Sequence, residues 1–152
     1  MKISKNEINP LLSKFIEHTV GHLGFLEREF GFSCTEKEVV NQRYAVVIYQ
    51  SDEVLIQMSF NSYSFEIGFE MSQRMLNARK FLLGDLVRFY KEESNLGFVA
   101  PQASTPERLE KTISAIANFL KQKCSVFFRG DTAAFGALEE FIKKPAKSKL
   151  PI

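Results

Sequence analysis

The sequence predicts an α+β fold: an antiparallel meander of three or four strands with helices packed on one face, in the order α-β-β-β-(β)-α-α-α. Residues 51–71, SDEVLIQMSFNSYSFEIGFEM, alternate apolar and polar side chains on either side of a short polar break, which is the period of a half-buried strand. Before and after this stretch the apolar residues recur in steps of three and four, the period of an amphipathic helix. The chain of 152 residues is 45% hydrophobic and 25% charged, enough for one domain with a core that needs neither disulfides nor a structural metal.

Taken in order, Ile8, Leu12, Phe15, Thr19, Leu23, Leu26 and Phe30 place one stripe along a helix over residues 7–30. Asn9 is its cap, Pro10 its first helical residue and Gly31 its stop. Gly21 and Gly24 weaken the middle by roughly 1 kcal/mol each relative to alanine, so a kink is expected there. A polar connection, CTEKEVVNQ, leads to strands at RYAVVIY (43–49), VLIQMSF (54–60) and FEIGFEM (65–71), separated by turns at QSDE and NSYS. Ile56, Met58, Phe60, Phe65, Ile67, Phe69 and Met71 share the oily side, opposite Gln57, Ser59, Glu66, Gly68 and Glu70. A short extended piece at 78–82 precedes a helix starting near Gly84 and Asp85, and residues 94–104 form a loop. Thr105 caps the next helix, with Pro106 just inside and Leu109, Ile113, Ile116, Ala117, Leu120 and Cys124 as its buried stripe. The last helix starts near Asp131, packs Phe135, Leu138, Phe141 and Ile142, and stops before Pro145. The domain therefore spans 1–145, and 146–152 is expected to be a mobile tail.

Fifteen Phe and no Trp make an aromatic content suited to core packing, because phenylalanine fills volume without needing a hydrogen-bond partner. No apolar run reaches the roughly 18–20 residues of a membrane span, and MKISKNEINPLL lacks the apolar stretch and cleavage site of an export signal. A cytoplasmic protein without a membrane partner is expected. Cys34 and Cys124 are too far apart in sequence for a disulfide framework or paired metal ligands, and both are read as reduced, packed thiols.

His18 and His22, four apart on a helix, project to one side and could fill two corners of a metal site. HTVGH lacks the internal glutamate of a zinc-protease motif, and the helical wheel sets His22 half-buried at the stripe margin and His18 solvated outside it. No nucleophile elbow and no glycine-rich phosphate cradle occurs. Arg129-Gly130-Asp131 reads as a turn whose aspartate caps the last helix. Glu66 and Glu70 lie roughly 13 Å apart along their strand, too far for a hydrolase pair. No catalytic residue and no cofactor is assigned. A metal-dependent enzyme using His18 and His22 is the first alternative reading.

Charge is divided unevenly: residues 1–72 carry net −4 and residues 73–152 net +6, against +2 for the chain. Within residues 44–73 stand Asp52, Glu53, Glu66 and Glu70 and no basic residue. The polar side of the sheet is thus an acidic face, with Gly68 leaving a flat gap between two glutamates; it would attract a basic partner, and the alternative is that the acids only keep an exposed face soluble and discourage edge pairing. Asp52, Glu53, Glu66 and Glu70 are the expected contacts, with Tyr63 at the hairpin tip. The second alternative, nucleic-acid binding by the basic C-terminal helices, lacks any RNP, KH or helix-turn-helix signature, and Lys143, Lys144, Lys147 and Lys149 gather only at the tail.

FLEREFGF at 25–32, VVIYQSDEVLIQMSFNSYSFEIGFE, GDLVRF and FFRGDTAAFGALEEFIKK together resemble small uncharacterised bacterial proteins similar to immunity proteins of polymorphic toxin and contact-inhibition systems. The resemblance implies a cytosolic, single-domain α+β protein that neutralises a toxin by binding it. It carries over no site residue.

Overall fold

The computed structural model describes residues 9–144. Its elements are α1 (Pro10–His22), α2 (Phe25–Phe30), β1 (Ser33–Asn41), β2 (Tyr44–Gln50), β3 (Val54–Asn61), β4 (Glu66–Gln73), β5 (Phe81–Leu82), α3 (Leu83–Phe89), α4 (Glu93–Leu96), α5 (Pro106–Lys123), α6 (Ser125–Phe128) and α7 (Thr132–Lys143). The strands form one antiparallel sheet in the order β1-β2-β3-β4-β5. The α+β class and the meander stand as expected, with five strands instead of three or four. The C-terminal tail lies outside the described residues.

The expected first helix is two. Asn9 Oδ1 accepts from the Leu11 N–H at 2.9 Å, Pro10 is the first helical residue, and α1 ends where the Leu23 N–H reaches the Thr19 carbonyl. Leu23, Gly24, Phe25 and Leu26 are all buried. Four consecutive buried positions cover most of a helix circumference, so no single straight helix can turn them to one core. The break before Phe25 lets α2 reorient, and Gly31, at φ 72, ends α2 as the expected left-handed cap.

The larger correction is CTEKEVVNQ, which is mostly strand β1. Its nine residues are largely exposed, as an edge strand allows, and its register against β2 shifts between Cys34 and Glu36 and again between Val39 and Asn41. Each shift breaks the alternation by which a strand is recognised. The remaining strands fall within a residue or two of expectation, with the extended piece at 78–82 narrowed to β5. At its first residues, the free side of β4 is closed by the chain at 101–103, where Ile67 N–H donates to Pro101 O and Ala103 N–H to Phe65 O.

Alternation within β3 and β4 is complete: Val54, Ile56, Met58 and Phe60, then Ile67, Phe69 and Met71, are sealed, while the residues between them stay at least partly open. Helix α5 lays Leu109, Ile113, Ile116, Ala117 and Leu120 into the same core, starting from Thr105, whose hydroxyl accepts from Arg108 N–H. Asp131 caps α7 through bonds from Ala133 and Ala134 N–H, as the turn reading required. Phenylalanine does the expected filling. Phe15 stacks on Phe60 at 5.6 Å, and Phe25, Phe30 and Phe32 surround Phe128.

Candidate functional site

The sheet's outer face is the side turned away from this core, and strand register sets its composition. One row across five strands reads Glu36, Ile48, Gln57, Glu70, Leu82. The next reads Glu38, Val46, Ser59, Gly68, and a third ends Tyr44, Asn61, Glu66. Carboxylates therefore flank a centre of aliphatic and small polar side chains: Glu36 and Glu38 on β1, Glu66 and Glu70 on β4. Val46 is buried on this side without belonging to the main core, so the centre of the face is already a small dry patch.

Glu36 and Glu38 are two residues apart and share a face. The Glu36 carboxyl is held above the ordinary carboxylate range, first by the hydrogen bond it shares with Glu38, then by lost hydration and by repulsion from that second charge. A cation brought by a partner would relieve the repulsion. These two acids escaped the sequence reading because their segment looked like a connection. The usable signals were the β-branched Thr35, Val39 and Val40 and the even spacing of the glutamates.

Glu66 and Glu70 share the outer face as expected, but Glu70 is not bare: Lys80, from the β4–β5 connection, stands 3.7 Å from it. Gly68 leaves no flat gap either. A Cβ there would run into Ser59 Oγ, so the neighbouring strand already fills the space. Asp52 and Glu53 sit elsewhere. They occupy the β2–β3 turn, at the opposite end of the β2–β3–β4 ladder from Glu66 and Tyr63, and border a cleft of about 440 Å³ that Arg74 and Arg129 also line. Glu53 packs against Gly130, and Arg74 donates to Ser51 O.

Tyr63 is at the β3–β4 tip, 67% exposed, and Arg43 from the β1–β2 turn stacks over its ring at 4.7 Å. The two tips are joined by Ser62, whose N–H donates to Arg43 O and whose hydroxyl donates to Gln42 O. Asn61 Oδ1 holds the turn by accepting from Tyr63 and Ser64 N–H, and Phe65 takes a left-handed φ of 62 to re-enter the sheet. A bulky residue in that region is strained, and the turn holds Tyr63 outward.

The histidines invert the helical-wheel expectation: the His18 side chain is 17% exposed and that of His22 34%. The cause is α5, which packs beside α1 and brings Glu110 Oε2 to 3.3 Å from His18 Nδ1 and 3.9 Å from His22 Nε2. Among the described residues, no three His, Cys, Asp or Glu side chains are arranged to hold a metal ion. Both cysteines are free. Burial raises the Cys124 thiol pKa far above its ordinary value, and burial followed by the Glu27 charge raises that of Cys34, which makes both poor nucleophiles. In the basic half, Lys121 pairs with Glu29 and Lys143 with Glu139, which consumes part of its charge. No described helix is long and apolar enough to cross a membrane.

No protein-family model, curated protein or solved structure matches the chain.

Proposed function

We propose that this chain is a non-enzymatic binding protein whose outer sheet face receives a basic protein partner, in the manner of an immunity protein neutralising a toxin domain. The supporting observation is the outer-face arrangement: Glu36, Glu38, Glu66 and Glu70 flank Val46 and Ile48 on a rigid hydrogen-bonded sheet. That is a charged rim around an apolar centre, the layout of a protein interface. Its sign selects lysine- and arginine-rich surfaces and speeds their encounter, while repelling nucleic acid. Tyr63 and Arg43, exposed and stacked at one end, are residue types that carry binding energy when a partner buries them. Asp52 and Glu53 are left out of this surface by their position.

The test is amide hydrogen exchange with and without a basic toxin domain encoded by an adjoining reading frame. Slowed exchange concentrated in β1–β4 and the Tyr63 turn is expected. A footprint confined to the helices, with the sheet unchanged, would remove the face from the proposal.

A further inference from the structure

We propose that the basic partner adds an extended segment of its own to the free edge of β1, antiparallel to residues 36–39, with lysine or arginine at the alternate positions beside Glu36 and Glu38. This rests on the partner-binding reading above and names how the partner is held. Which backbone groups are free follows from the hydrogen-bond phase of the sheet. Ser51 N–H donates to Val54 O, and Ser62 N–H to Arg43 O, so Ala45, Val47 and Tyr49 bond to β3. Val46 and Ile48 therefore turn their N–H and C=O groups to β1, where they oppose Glu38 and Glu36. Lys37 and Val39 alternate with these two and aim their own groups away from the sheet. β1 is the last strand on its side, and Glu36, Lys37 and Glu38 are exposed. An edge of free N–H and C=O groups is a template for a further strand. The register shifts at Cys34/Glu36 and Val39/Asn41 leave residues 36–39 as the regular stretch, so the edge admits a short segment and resists a long one.

Charge selects the occupant. Residues of an added strand opposite Glu36 and Glu38 form its non-bonded pairs, whose Cα atoms approach to about 4.5 Å, so the side chains beside the two carboxylates are the closest ones. Among the described residues neither glutamate is in an ion pair. The crowding that holds the Glu36 carboxyl above its ordinary range is relieved by a cation at that place. Lys37, on the other side of the strand, opposes a uniformly basic segment, so uncharged residues alternate with the basic ones. A second copy of this chain is disfavoured. In the bond phase above, the two antiparallel registers that most fully overlap residues 36–39 of two copies set Lys37 opposite Lys37 and Glu36 opposite Glu38, or Glu38 opposite Glu38. Like charges directly opposite destabilise a strand pair.

The probe is a short end-blocked peptide alternating lysine and valine, titrated into the full chain at low salt and followed by NMR. Slowed hydrogen exchange at the Lys37 and Val39 amides is expected. N-methylation of the peptide's valines, whose amides face Lys37 and Val39, is expected to weaken binding about tenfold or more, and N-methylation of its lysines, whose amides face away, to change it less than about threefold. Equal binding by the two methylated peptides, or slowed exchange elsewhere with none at Lys37 and Val39, would overturn strand addition while leaving the outer face as a site for a basic partner. Binding by none of the peptides would overturn strand addition as well, and the exchange footprint of the toxin domain then decides separately whether the outer-face reading stands.

Discussion

The inner and outer sides of β3 and β4 are made by neighbouring residues on one backbone, yet they do different work. Inward, Ile56, Met58, Phe60, Ile67, Phe69 and Met71 are sealed against the helices, so each contributes buried area and few can shrink without leaving a void. Outward, Gln57, Ser59, Glu66 and Glu70 keep contact with water and contribute little to folding. Stability is thus concentrated on one side by the strand period of two, and the outer face, where we propose that a partner binds, can change without endangering the core.

The strongest way to break that contrast is on the inner side. Phe60→Ala removes a fully buried ring stacked on Phe15 and should cost about 3–5 kcal/mol in a urea unfolding curve; a loss near that of a surface change would mean the inner side is not the core. Gly68→Ala probes the outer packing, because the added methyl meets Ser59 Oγ. Ser59 Oγ can turn aside and alanine loses less backbone entropy than glycine, so the net cost is expected to stay below about 1 kcal/mol. In a Ser59→Ala background the same change should be neutral or stabilising, and a double-mutant cycle without coupling would contradict the contact. Glu66→Gln with Glu70→Gln should move the midpoint little, about 0.5 kcal/mol or less, because the Glu70–Lys80 pair is solvent-exposed.

The smallest effect concerns protons. In the folded chain Glu36 holds its proton more tightly than in the unfolded one, so the Glu36–Glu38 pair's contribution to stability is present at low pH. It is lost as pH rises from the ordinary carboxylate value through the raised one. A carbon-detected NMR titration should show the Glu36 carboxyl returning toward its ordinary value in Glu38→Gln. No movement would mean the two carboxyls do not interact.

What could be read from sequence followed how regular each signal was. The strands β2–β4 declared themselves by unbroken alternation, and the caps at Asn9, Thr105 and Asp131 by residue types that accept from helical N–H groups. β1 hid because two register shifts scramble its pattern and an edge strand needs few apolar residues. That one omission also hid half of the acidic face, since Glu36 and Glu38 join Glu66 and Glu70 only through cross-strand register. The break in the first helix was foreshadowed by Gly21 and Gly24, whereas the Glu110 contact to both histidines depends on where α5 packs beside α1. The position of Asp52 and Glu53 away from Tyr63 follows from strand length, which sequence did supply: β3 holds the two turns at opposite ends.

The central claim is that the four outer-face carboxylates recognise a basic protein. Its most direct test is the affinity of a basic toxin domain, taken as the proposed partner, for wild type and for the variant with Glu36, Glu38, Glu66 and Glu70 all changed to Gln, measured at low and high salt. The account predicts a loss of about a hundredfold or more at low salt, largely through a slower on-rate, and a much weaker salt dependence in the variant. Equal affinity and equal salt dependence in a variant that melts like wild type would contradict it.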